Sequence, residues 1–252
     1  MSVHYNKDQT VQLWSHPQVD VIQVSSPQMT TLDRLALQAG EGQHDWEPDA
    51  TALEIAPIFA GRACYQSFGE KAGRKTAADY LGHIKEVGHF SVIEHSYVSF
   101  YIQGVSRTFT HEAIRHRMAS YSQLSQRFVP YDKCLPLVIH PNVRIKLDDF
   151  ENVALEYFAY GEEVLKTYRF MLDKYYREFG NETFAQKKKA RETAREYLPN
   201  MVETKLVWTM NLRGWLEMLS KRNAEGADGQ IHKVASMIEE RLVGLAPNIF
   251  GD

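Results

Sequence analysis

The chain has 252 residues, of which 44% are hydrophobic and 24% charged, a globular balance that excludes a disordered or fibrous protein. Lysine plus arginine number 29 against 32 aspartate plus glutamate, and the net charge of -3 argues against a protein whose main task is coating nucleic acid. Two cysteines, Cys64 and Cys134, make no disulfide framework, no apolar run is long enough to span a membrane and the start lacks a signal core, so a cytoplasmic location is expected.

The first 50 residues are weakly patterned and are expected to pack, as an extension, on a domain covering 51–252. Within them Val19–Val24 reads as a strand, and the polar stretch Gly40–Asp49 as a loop. Thr76–Val87 predicts a helix, with Thr76 as its cap and Tyr80, Leu81, Ile84 and Val87 at helical spacing. His95–Ile102 alternates, with Ser96, Val98, Phe100 and Ile102 on one face of a strand. A short helix is expected over Thr108–Arg117 and a loop over Tyr121–Val129. Asp148–Phe179 predicts a long helix burying Phe150, Leu155, Phe158, Leu165 and Leu172. A charged helix over Phe184–Tyr197 must end before Pro199. Val202–Met210 alternates again, and helices close the chain at Arg213–Arg222 and Asp228–Leu245, the latter with Ile231, Val234, Ile238, Leu242 and Leu245 as its stripe. A few strands between long helices give an α+β class: a single mixed domain, its small β-sheet flanked by helices.

Ser106–Pro130 carries Arg107, Arg115, Arg117 and Arg127, with His111 and His116 between them and Ser120, Ser122, Gln123 and Ser125 as further donors. On a helix Arg115 and Arg117 would point to different sides. Like charges interleaved with Ile114, Leu124 and Phe128 repel one another unless an anion sits among them, so this segment reads as an anion site. A second basic group, Lys187, Lys188, Lys189, Arg191 and Arg195, reads mostly as an exposed helix face. Arg195 and Arg222 each end a helix, where the dipole favours a cation.

Arg115-His116-Arg117, seven residues, then Ser125 resembles the RHR-x7-S signature of the flavin-dependent thymidylate synthases. Three further stretches match in order: GRACYQS at 61–67, GHFSVIEH at 88–95, and the series Arg195, Leu198, Pro199, Asn211, Arg213, Arg222. The resemblance covers roughly residues 55 to 250. It implies reductive methylation of dUMP to dTMP, with 5,10-methylenetetrahydrofolate as carbon donor, FAD as cofactor and NADPH as reductant, and tetrahydrofolate as the second product. It also implies a homotetramer with active sites shared between subunits, and FAD held outside any Rossmann motif. The absence of a GxGxxG is consistent with that.

Position by position, the resemblance assigns dUMP to Glu112, Arg115, Gln123, Ser125, Gln126, Arg127, Arg195 and Arg222. It assigns FAD to Ser91, Arg115, His116, Arg117, Gln123, Asn211, Arg213 and Glu217, and sets His89 near the flavin. Arg222 matches the catalytic arginine that polarises the uracil ring. Two positions depart from the pattern: Gly226 stands where many members carry histidine, and Glu217 is acidic where relatives are neutral or basic.

Pyrimidine C5 is a poor nucleophile, and one route activates it by adding a thiolate at C6. Neither Cys64 nor Cys134 sits in a persuasive site motif, and both are expected to be buried and structural. A flavin supplies hydride chemistry instead, leaving the protein to position two rings and stabilise charge on the uracil. Arg222 suits that role, Arg127 and Arg195 suit the phosphate, and Ser125 serves as a hydrogen-bond partner rather than a nucleophile. A metal-dependent hydrolase is a rival, given His83, His89, His95, His111 and His116, but no HExxH or CxxC occurs. An RNA-binding module using the basic segment with Phe109, Tyr121 and Phe128 is another, opposed by the net charge.

Overall fold

Residues 3–39, 45–143 and 150–251 are described by the computed structural model. The chain opens with β1 (Val3–Tyr5), β2 (Val11–Trp14), β3 (Gln18–Val24), α1 (Met29–Ala39), α2 (Ala52–Tyr65) and α3 (Ala77–Glu86). It continues through β4 (Tyr97–Ser106), α4 (Arg107–Ala113), β5 (Ser120–Gln123), β6 (Leu135–Val138), α5 (Phe150–Phe179) and α6 (Phe184–Ala194). It closes with β7 (Glu203–Asn211), α7 (Leu212–Arg222), α8 (Gly229–Leu245) and α9 (Pro247–Phe250). The class is α+β, and the strands form two sheets rather than one.

The larger sheet has the order β3-β4-β7-β5 and is antiparallel throughout. Alternation explains its inner strands: Val98, Phe100 and Ile102 on β4 and Leu206, Trp208 and Met210 on β7 all face one core. That core is completed by Trp215, Met218 and Leu219 of α7 and by Ile231, Val234, Ile238 and Leu242 of α8. Leu245, the last member of the expected stripe, is only partly buried.

The smaller sheet, β1-β2-β6, packs under α5 and α6. Gly161 lets α5 lie close to it, for a Cβ there would meet Val11 Cγ1 at 2.6 Å. Of the expected buried positions on α5, Leu165 and Leu172 are buried, Phe150 and Phe158 partly so, and Leu155 is exposed. The contact stripe runs instead through Ala154, Gly161, Leu165, Tyr168 and Leu172. The helix begins at Phe150; the expected start at Asp148 and residues 40–44 of the expected loop lie outside the described residues.

The sheets meet at Gly104, where β4 bulges between Ile102 and Val105. Its φ of +71° and its approach to the Trp14 ring, 2.5 Å from an added Cβ, both require glycine. Thr76 is the expected cap and accepts from Asp79 N, whereas Asp228, expected within its helix, stands one residue before it and caps it, accepting from Gln230 N and Ile231 N. Residues 3–24 supply β1, β2 and β3, so part of the weakly patterned start runs within both sheets.

Candidate active site

Ser106 caps α4, its hydroxyl accepting from Phe109 N, and is in turn held by Gln230 of α8. The helix stops at Ala113, short of the expected Arg117, so Arg115 and Arg117 are not helical. The reason is local. Ala113 O, which a continuing helix would offer to residue 117, accepts from His116 N at 3.1 Å and from the Tyr121 hydroxyl at 2.5 Å. Tyr121 also donates to His116 O at 2.9 Å. It can do so because residues 120–123 are a strand, β5, paired to β7, and not the expected loop. That pairing sets Tyr121 beside Trp208, with ring centroids 5.6 Å apart. Burial pushes the Tyr121 hydroxyl up to about 12, so it remains a donor.

On this turn converge three expected residues from two distant parts of the chain. Arg222, at the end of α7, donates from Nη1 to Glu112 Oε2 at 2.8 Å and from Nη2 to Glu112 O at 3.0 Å. Its Nε donates to His116 Nε2 at 2.9 Å. The side chain is only 14% exposed. Burial, with the Arg222 and Lys221 charges beside it, lowers His116 from 6.5 to about 4, so the imidazole is neutral.

Beside this group lies a cleft of about 170 Å³ lined by Arg115, His116, Arg117, Met118, Met210, Gly214, Glu217 and Lys221. Arg115 is 71% exposed and only 3.9 Å from Glu112 Oε1, so its guanidinium is largely uncommitted. Glu217 is paired with Lys221 at 2.5 Å, which holds its carboxyl below the usual range. Asn211 caps α7 through Gly214 N at 2.8 Å, and Arg213 pairs with Glu94 at 2.5 Å.

A second group gathers near α6. Arg127 pairs with Glu192 at 2.7 Å, and Ser125 Oγ accepts from Arg127 N at 3.3 Å. Gln126 is buried, and Arg195 sits at the C-cap of α6. Arg107 is half-buried, and it is held below its ordinary value first by desolvation, with the Arg195 charge adding to the effect. Gln123 joins α4 to β7, donating to Thr110 Oγ1 at 3.3 Å and Thr204 Oγ1 at 3.2 Å. Ser91 and His89 are exposed, and His89 lines a different cavity with Arg62, Tyr65, Arg74 and Tyr80.

Sequence reasoning did not single out Tyr121, Trp208, Lys221, Met210 or Gly214 for the site. Tyr121 was findable: Tyr121 and Gln123 turn inward while Ser120 and Ser122 turn out, a period of two. Both thiols differ from expectation. Cys64 is exposed on α2, whose helix needs that position only for its outer face, and Cys134 is half-buried, with burial raising its pKa. Neither lines the cleft. Gly226 has a φ of +87°, a conformation that disfavours any side chain.

The profile of the family described as "Thymidylate synthase complementing protein" matches residues 49–248. The chain belongs to this family. Flavin-dependent thymidylate synthases are among its relatives: that of Mycobacteroides abscessus is 44% identical over 211 residues, 82% of either chain. That of Mycobacterium avium is 43% identical over the same length and shares. The solved structure of a UMP/dUMP methylase, PolB from Streptomyces cacaoi, bound with 5-Br UMP, superposes with a TM-score of 0.65. It covers 96% of this chain and 95% of its own at 18% identity, which is a likeness of fold. Every site position expected from the sequence, from Ser91 to Arg222, falls inside the matched segment, whereas β1, β2, β3 and α1 precede it.

Proposed function

We propose that the protein is a flavin-dependent thymidylate synthase, converting dUMP to dTMP with 5,10-methylenetetrahydrofolate as carbon donor and NADPH as reductant through FAD, and releasing tetrahydrofolate. The observation that carries this reading is the setting of Arg222. Three of its five N–H groups are committed to Glu112 and His116. Two remain, one on each Nη, as donors for a carbonyl oxygen or an ionised ring nitrogen of uracil.

The residues present fit FAD. Arg115 and Arg117 offer exposed guanidinium groups to a diphosphate, and Gly214 lines the cleft beside them. A cleft of about 170 Å³ holds only part of so large a cofactor, which favours a site completed by another chain of a homotetramer. We assign Arg115, His116, Arg117, Gln123, Ser91, Asn211, Arg213 and Glu217 to FAD. When bound, FAD supplies the hydride chemistry that C5 needs. The chain itself binds and polarises. Arg127 and Arg195 hold the phosphate, Ser125, Gln126, Gln123, Glu112 and Arg115 orient the nucleotide, and Arg222 stabilises negative charge on the ring. That neither thiol lines the cleft, and that burial raises the pKa of Cys134, supports a route without a thiolate.

On this reading the enzyme works in the cytoplasm. We read residues 1–50 as an extension of the 51–252 domain, since the family match begins at residue 49, but one built into it, because β1, β2 and β3 complete both sheets. The test is tritium release from 5-³H-dUMP by the purified yellow protein. Release that depends on NADPH and methylenetetrahydrofolate supports the reading; a colourless protein without release refutes it.

A further inference from the structure

We infer that His116 is the positioning residue of Arg222: its Nε2 accepts the Arg222 Nε–H and fixes the roll of the guanidinium that faces the nucleotide. The inference rests on the catalytic reading of Arg222 given above and adds a role for a second residue. The two contacts to Glu112, one to its carboxylate and one to its carbonyl, leave the guanidinium plane free to swing about the line that joins them. The contact to His116, at 2.9 Å, lies off that line and stops the swing. Three anchors define a plane, and with it the directions of the two remaining N–H groups, one on Nη1 and one on Nη2.

The acceptor is itself held. The Tyr121 hydroxyl fixes the His116 carbonyl at 2.9 Å, and the imidazole lies 5.9 Å from the Trp208 ring, which is fully buried. Nε2 accepts only when it carries no proton, so the ring proton resides on Nδ1. A doubly protonated ring would set two cations against each other at hydrogen-bond distance. Arg222 and Lys221 oppose that state, and Glu112 and Glu217 favour it; burial decides against it. His116 therefore holds Arg222 in the neutral form and does not serve as an acid toward substrate.

The test uses the difference in reach between two amides. His116→Gln places a carbonyl oxygen near the Nε2 position, whereas His116→Asn reaches only the Nδ1 position. With FAD-loaded enzyme, His116→Asn is expected to lower kcat by about 10²-fold, the scale of an ångström-level misplacement, with dUMP KM little changed. His116→Gln is expected to restore most of that loss. Arg222→Ala/His116→Asn should be no slower than Arg222→Ala, since the histidine acts through the arginine. A second readout needs no turnover: ¹⁵N shifts of labelled histidine, with the His116 signals assigned by difference, should show Nδ1 protonated and Nε2 bare at neutral pH. In Arg222→Ala that preference should relax. A slow Arg222→Ala together with His116→Gln no better than His116→Asn, or a protonated Nε2, overturns this inference alone. Wild-type kcat in Arg222→Ala overturns the catalytic reading of the arginine as well. Should the His116 variants not fold, the His116 signals are assigned by sequential correlation from the backbone, and the shifts in the wild-type protein still decide.

Discussion

Gln230 accepts two hydrogen bonds from Ser106, one from its backbone N–H at 3.1 Å and one from its hydroxyl at 2.7 Å. Both residues are buried, and the pair ties α8 to the first turn of α4. Gln230→Leu removes the acceptor and strands both donors. The expected loss is about 1–3 kcal/mol, the cost of an unmet buried polar group. A urea titration followed by tryptophan fluorescence measures it; a midpoint equal to wild type contradicts the account.

Glu47 and Arg62 form a buried ion pair, with Nε donating to Oε1 at 2.8 Å. The guanidinium also holds Ser67 O at 3.0 Å and Arg74 O at 2.7 Å, and so closes the segment between α2 and α3. Glu47→Ala leaves a buried cation and is expected to cost about 3–5 kcal/mol. Glu47→Leu/Arg62→Met, which removes both charges, should recover much of that loss in the same denaturation experiment.

Gly161→Leu drives a side chain into Val11 and Leu137, which an added Cβ alone would meet at 2.6 and 3.1 Å. Overpacking of this kind costs typically about 1–3 kcal/mol, and the helix preference of leucine over glycine offsets only about 1. A lower melting temperature with unchanged helical circular dichroism is the expected result.

The neutral His116 makes a prediction about acid. Its pKa is depressed from 6.5 to about 4 in the folded chain, so the unfolded chain binds the proton first as pH falls. The stability it contributes is complete above pH 6.5 and is lost as the pH falls towards 4. Tyr121 acts at the other end: raised from 10 to about 12, it contributes stability below pH 10 that is lost as the pH rises through 12. Denaturation midpoints of His116→Gln and Tyr121→Phe against wild type across pH should show these slopes flattened in the respective windows.

Gly226→His introduces the histidine that the family resemblance expects, at a φ of +87°. An added Cβ meets nothing within 4 Å, so the penalty is conformational alone. A destabilisation of about 1–2 kcal/mol is expected, read from thermal melting.

The legible parts of the fold were those where one face meets the core and the other meets water. β4, β7 and α8 have that contrast, and their periods gave both element and inner face. α2 lacks it: Leu53, Glu54, Ile55, Pro57, Ile58, Gly61 and Arg62 are buried on several sides, and no stripe stands out. β6 carries Pro136 and buries all four residues, which hides its alternation. On α5 the small residues Ala154 and Gly161 mark the contact line, and the larger Leu155 misleads. The arginine segment was legible as a site because its charges cluster in sequence. The clamp on Arg222 was not, since Glu112 and His116 are 110 and 106 residues away and only the packing of α7 on the sheet brings them together.

The seven residues of α4 fall short of the roughly 12–15 that a helix needs to persist alone in water. Its two ends are secured by Gln230 and Arg222, which are translated more than a hundred residues later. The turn that carries Arg115 and His116 is therefore held in place only once α7 and α8 have emerged and docked.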